Sequence, residues 1–260
     1  MVGLLHDRVV VITGVGPGLG TTLALRCAHE GADLVLAARS APRLDEIAGS
    51  VTKLGRRAVA VATDITVDND VEVLAREALS AFGKVDGLVN NAFMYPSMQP
   101  FAGTTFTHIR ESLELTVLGV LRTIQAFTPA LTESRGSIVN LSSMVIRHSD
   151  PVYGPYKLAK SALLAMSQSL ASELGGSGIR VNSVAPGYIW GQVLKDYFQQ
   201  QAEASGVPLD TVYAAAAASS DLKRLVTEDD VASAILFLIS DLANGITGQT
   251  LDVNCGEYKA

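Results

Sequence analysis

Cysteine is scarce in this chain, with only Cys27 and Cys255 among 260 residues. Neither stands at metal-ligand spacing and the four histidines form no cluster, so a metal centre and a disulfide framework are excluded as organising chemistry. Both cysteines read as packing residues, and no metal is expected. Charge is sparse as well: 18% of residues are charged and the formal net charge is −6. An acidic chain without a basic run attracts neither nucleic acid nor an anionic membrane surface, and neither is expected as a partner. Apolar runs are short and interrupted, whereas a membrane helix needs about 20 residues. The amino terminus lacks the charged segment, apolar stretch and cleavage site of a signal peptide. The expectation is a soluble, cytoplasmic protein.

Hydrophobic residues, by contrast, make up 48% of the chain, enough to bury a sizeable core. Short runs rich in Val and Ile alternate with longer helical patterns, which is how a parallel sheet covered on both faces reads in sequence. Strands are expected at 8–13, 33–38, 57–62, 86–90, 136–141, 179–184 and 249–253. Helices are expected near 18–30, 41–54, 68–82, 105–132, 152–175 and 228–239. Seven strands of one sheet make 1–260 a single α/β domain. The stretch 188–226 fits no strand: a helical pattern around Val193 to Ala204 is followed by Gly206-Val207-Pro208 and an alanine run at 214–218. So long an insertion late in the fold is expected to be a lid over a ligand, the alternative being a helical excursion that only packs.

Thr13-Gly14-Val15-Gly16-Pro17-Gly18-Leu19-Gly20 follows the first strand and opens the first helix. Glycines there let the backbone turn sharply and approach a pyrophosphate, which rests against helix N-terminal N–H groups. The second strand ends at Ala38-Arg39. An acidic residue near this point would hold an adenosine ribose and repel a 2′-phosphate. Ala38 does neither and Arg39 attracts the phosphate, so the sequence favours NADP(H), with NAD(H) left open.

Tyr156 and Lys160 stand four residues apart, on one helical face. A phenol beside a cation can exchange protons nearer neutrality than its ordinary pKa of about 10 allows. A second pair, Tyr153 and Lys157, has the same spacing. Thirteen residues before Tyr156 lies Ser143, whereas thirteen before Tyr153 lies Asn140, and Tyr156 is also the tyrosine followed by Lys160-Ser161-Ala162-Leu163.

With its T-G-x-x-x-G-x-G loop, Asn90-Asn91-Ala92, Ser143 and Tyr156-x-x-x-Lys160 in that order, the chain resembles the short-chain dehydrogenase/reductase family from Arg8 to Asn254. The resemblance implies a Rossmann-type doubly wound fold with a seven-stranded parallel sheet and helices on both faces, to which the insertion at 188–226 would add a helical substrate lid. It implies that Ser143 bonds a substrate carbonyl oxygen, that Tyr156 gives or takes its proton, and that Lys160 holds the nicotinamide ribose and lowers the tyrosine pKa. The cofactor would lie on Gly14, Gly18, Leu19, Gly20, Arg39, Asp64, Ile65, Asn90, Ala92, Tyr156, Lys160, Pro186, Gly187 and Ile189.

Three positions depart from the family pattern. Thr116 replaces the asparagine that seats a water in the proton relay, Phe93 replaces a glycine, and Gly191 stands where a threonine is usual. Phe93, Met94, Tyr95, Met98, Met144, Trp190, Tyr197 and Phe198 are expected to border the substrate, which points to a small hydrophobic secondary alcohol and its ketone. A cofactor-binding regulator with weak or no turnover is the alternative. The family also implies a homotetramer or homodimer.

Overall fold

The computed structural model describes residues 3–259. Seven parallel strands form one sheet in the order β3-β2-β1-β4-β5-β6-β7. They are β1 (Val9–Thr13), β2 (Asp33–Ala38), β3 (Ala58–Ala62), β4 (Gly87–Asn90), β5 (Ser137–Leu141), β6 (Arg180–Pro186) and β7 (Thr250–Val253). In the central strands both faces are buried, as VVVIT of β1 is throughout, because helices cover the sheet from either side. Strand order reverses between β1 and β4, the point where α/β sheets open a crevice at the strands' carboxyl ends.

On one face lie α1 (Leu19–His29), α2 (Ala41–Lys53) and α9 (Glu228–Ile239), whose Leu23, Leu44, Ile235 and Ile239 pack with Ile12, Leu34 and Leu36. On the other lie α3 (Asp68–Phe82), α5 (Val120–Ser134) and α6 (Gly154–Gly175), with Phe127, Ile124, Leu131 and Leu163 set against Val11, Leu88 and Ile138. The strands and helices fall within a residue or two of their expected positions, with one exception. The helix expected over 105–132 is α4 (Phe106–Leu113), a π-helical turn over Glu114–Gly119, and α5. An apolar periodicity that runs on without interruption hides such a widened turn.

The continuous helix Phe106–Ser134 is also long and apolar enough to cross a membrane by length and composition, contrary to the expectation that every apolar run is too short. Its apolarity has a local cause, since Val120, Ile124, Phe127 and Leu131 are buried against the sheet. Between β6 and α9 the chain forms α7 (Gln192–Ser205) and α8 (Leu209–Ala217). They enclose a small core of Phe198, Ala217 and Leu225. This excursion leaves and returns at one place, where Ile189 pairs with Val226 and the Trp190 N–H donates to the Val226 carbonyl at 2.7 Å.

Candidate active site

Between β1 and α1 the glycine loop makes a cradle that side chains would fill. Gly14 and Gly18 have φ of 71° and 92°, a region L-residues avoid. A Cβ on Gly14 would lie 2.4 Å from the Ala92 Cα, and one on Gly20 would lie 2.8 Å from the Gly14 carbonyl oxygen. The Asn91 amide donates to the Gly14 carbonyl at 2.8 Å, so the loop after β4 braces the loop after β1. Among the described residues no side chain caps α1 and its first turn carries no acid, while the buried Thr13 hydroxyl has no partner there. A tight turn, an uncapped helix start and an orphan hydroxyl fit the phosphate end of a dinucleotide.

On the adenosine side Arg39 is exposed beyond β2. Asp64 follows β3 and accepts from the Thr66 hydroxyl at 2.7 Å and the Thr66 N–H at 2.9 Å. These bonds, helped by the charge of Arg39, hold its carboxyl below the usual range. Ile65 is buried against Gly119, where a Cβ would come 3.0 Å from its side chain.

Ser143, Tyr156 and Lys160 come together beyond the end of β5. The Ser143 hydroxyl accepts from the Val145 N–H at 3.3 Å and opens a short 3-10 turn over Met144–Arg147. Lys160 is buried, its Nζ donates to the Leu141 carbonyl at 2.7 Å, and it lies 5.8 Å from the centre of the Tyr156 ring. Burial pushes the Tyr156 phenol up to about 12, opposed by the nearby Ser143 hydroxyl. Burial also takes the Lys160 ammonium down to about 8. A cation one helical turn away is expected to lower the phenol. In the free protein desolvation outweighs that attraction, because both groups are withdrawn from water and the ammonium is turned to a backbone carbonyl.

The competing pair is engaged elsewhere. The Tyr153 hydroxyl shares a 2.8 Å hydrogen bond with Tyr188, and Lys157 Nζ donates to the His148 carbonyl at 2.6 Å and the Ser149 hydroxyl at 2.9 Å. Thr116 is buried within the π-helical turn.

A buried polar chain that sequence reasoning did not find supports these elements. Thr123 of α5 donates to the Asn90 side-chain oxygen at 2.7 Å, the Asn90 amide to Asn140 at 2.9 Å, and the Asn140 amide to Ser167 of α6 at 2.9 Å. It ties together both helices and both strands that present the site. The single visible signal is two asparagines at the ends of otherwise apolar strands.

Phe93 stands beside this cluster, its ring edge-on to Tyr156 with centroids 6.2 Å apart and to Tyr95 at 5.2 Å. Phe93, Tyr95 and Tyr197 are exposed, Met94 is half-buried, and Met144 is buried with its sulfur 3.4 Å from where a Gly187 Cβ would be. Trp190 and Phe198 pack with each other at 5.7 Å, inside the small core of the α7–α8 excursion. Pro186 ends β6, and Ile189 is held by its bridge to Val226.

A doubly wound sheet with a phosphate cradle at its switch point is the architecture of a dinucleotide-binding protein. A family model described as enoyl-(acyl carrier protein) reductase matches residues 14–257. Short chain dehydrogenase/reductase astE of Aspergillus oryzae is 31% identical over 97% of this chain and 95% of its own length. The structure of L-sorbose reductase from Gluconobacter frateurii with NADPH and L-sorbose superposes with a TM-score of 0.92 at 29% identity, over 100% of this chain and 99% of that one. Carveol dehydrogenase from Mycobacterium avium with NAD superposes at 0.91 and 26% identity, covering 98% and 99%. The chain belongs to the short-chain dehydrogenase/reductase family of NAD(P)-dependent oxidoreductases that act on CH–OH groups.

Proposed function

We propose that this protein is a ketone reductase or alcohol dehydrogenase for a hydrophobic secondary alcohol and its ketone, with NADP(H) favoured over NAD(H). The observation that carries the reading is the meeting of Ser143, Tyr156 and Lys160, with the Phe93 ring edge-on to Tyr156. The bound dinucleotide supplies or accepts the hydride at the carbonyl carbon. Pro186, Gly187 and Ile189, with Asn90 and Ala92, would flank its nicotinamide half, and Gly14, Gly18, Leu19, Gly20, Arg39, Asp64 and Ile65 the remainder.

In reduction Ser143 donates a hydrogen bond to the substrate oxygen and Tyr156 delivers its proton there, a phenol held neutral by burial being loaded as an acid. Lys160, withdrawn from water, is the charge that stabilises the phenolate left behind. Thr116, in the widened turn, would pass protons onward through a water. Oxidation runs the same steps in reverse. Residues 188–226, which carry Trp190 and Tyr197, would act as the lid, with Phe93, Met94, Tyr95 and Met144 bordering the substrate. The related structures named for carveol and for L-sorbose represent an apolar and a polyol substrate; the exposed aromatic pair Phe93 and Tyr95 favours the first.

Reduced-nicotinamide absorbance tests the reading, with alicyclic, aromatic and sterol alcohols set against sugar alcohols. Turnover confined to polyols refutes the apolar substrate. We also propose a homotetramer or homodimer, since Phe106, Leu118 and Leu158 lie exposed along α4, the π-helical turn and α6; a monomer by light scattering refutes it.

A further inference from the structure

Three acids crowd the first turn of α9: Glu228, Asp229 and Asp230. Asp230 completes the helix cap with Thr227 and pairs with Arg224, and Asp229 pairs with Arg26. Glu228 takes part in neither the cap nor an ion pair among the described residues. It turns to the glycine loop instead, where its Oε2 accepts from the Thr22 hydroxyl of α1 at 2.8 Å. Its Oε1 lies 3.2 Å from where a Cβ on Gly18 would be, and only 2.2 Å from one on Gly191. The carboxylate therefore sits over the N-terminal end of α1, against the base of the α7–α8 excursion, in the volume a side chain at 191 would need.

A carboxylate at that end of α1 is favourable for the reason a phosphate is, since both meet the positive end of the helix dipole. Two anions at one helix start oppose each other. We propose that Glu228 is an internal anion that holds the phosphate end of the cradle in the free protein, joins α1 to the lid base, and is displaced when the dinucleotide binds. Resting on the dinucleotide reading, this accounts for the glycine at 191: with the latch in place, no side chain fits there. Glu228 is thus a positioning residue that tunes cofactor affinity and the mobility of the lid.

The test measures dissociation constants of NADH, NADPH and ADP-ribose by calorimetry for wild type, Glu228→Gln, Glu228→Ala and Gly191→Ala, with amide exchange of residues 191–205 in the free proteins. Both Glu228 variants are expected to bind all three ligands roughly tenfold more tightly as the competing charge is lost. Gly191→Ala removes no charge but drives the carboxylate out, and is expected to gain affinity as well. Glu228→Ala combined with Gly191→Ala gains no more than Glu228→Ala alone. Exchange over 191–205 speeds up in every variant. Unchanged or weaker affinity in Glu228→Gln, with wild-type binding intact, overturns the proposal alone. So does a gain absent with ADP-ribose, which would place the effect at the nicotinamide. Failure of wild type and variants alike to bind any of the three overturns the dinucleotide reading and this proposal with it.

Discussion

Lys160 donates its ammonium to the Leu141 carbonyl at 2.7 Å, so the cation of the site is anchored to the last residue of β5, two residues before Ser143. Burial lowers its pKa from 10.5 to about 8. Below pH 8 the fold bears the cost of a charged, desolvated ammonium. As pH rises from 8 to 10.5 the unfolded chain holds more protons than the native one, and the Lys160 contribution to stability improves. Replacing the charge by Lys160→Met is expected to raise the free protein's stability at pH 7 by on the order of 2–3 kcal/mol. It also flattens the pH dependence of urea unfolding between pH 8 and 10. A variant less stable than wild type at pH 7, with an unchanged pH profile, would contradict this.

Arg39 is exposed at the end of β2, with the Asp64 carboxyl near enough to feel its charge. Arg39→Ala is expected to weaken NADPH binding by about tenfold and to leave NADH within about twofold, as loss of a charge-assisted phosphate contact would. Equal losses for both cofactors would remove Arg39 as the discriminating residue.

Phe93 packs edge-on against Tyr156 yet is half exposed, so it adds apolar surface to the site at little expense to the core. Phe93→Gly, which restores the residue usual in the family, is expected to raise KM for an apolar alcohol by about tenfold with a smaller change in kcat. Thermal stability stays within about 0.5 kcal/mol. A fall in kcat at constant KM would instead show that the ring positions Tyr156.

Asn140 is fully buried in the middle of the chain from Thr123 to Ser167. Asn140→Ala leaves the Asn90 amide without a partner and takes one donor from Ser167, which keeps its bond to the Leu163 carbonyl, and is expected to lower stability by about 2 kcal/mol. Asn140→Asp keeps the acceptor to Asn90 but buries an unpaired carboxylate and removes the donor to Ser167, and loses more. Urea denaturation distinguishes the two; equal small losses would mean that water replaces the bond.

Much of this was legible before any coordinates. Strands such as Val9–Thr13 are continuous apolar runs because both faces are covered, and the glycines at 14 and 20 mark a turn where a Cβ would strike backbone. Ser143, Tyr156 and Lys160 stand at the spacing of the family the chain resembles, and that resemblance separates them from Tyr153 and Lys157. What escaped depends on relations between distant segments. The π-helical turn at Glu114–Gly119 keeps the apolar rhythm of the helix around it, so periodicity passes over it. The raised phenol of Tyr156 follows from burial, which spacing does not show. Glu228 meets Thr22 across 206 residues, and nothing local to its helix start distinguishes it from Asp229.

The central claim is that Tyr156 carries the proton of a nicotinamide-dependent carbonyl or alcohol reaction. Tyr156→Phe keeps the ring that packs on Phe93 and removes only the hydroxyl. Steady-state absorbance of the reduced nicotinamide, with an apolar secondary alcohol or its ketone, is the most direct test when paired with calorimetry of cofactor binding. The account predicts a fall in kcat of about a thousandfold or more, with the dissociation constant of the dinucleotide unchanged within about twofold. Turnover in Tyr156→Phe within about tenfold of wild type, or a wild type that binds the dinucleotide and reduces nothing, would contradict it.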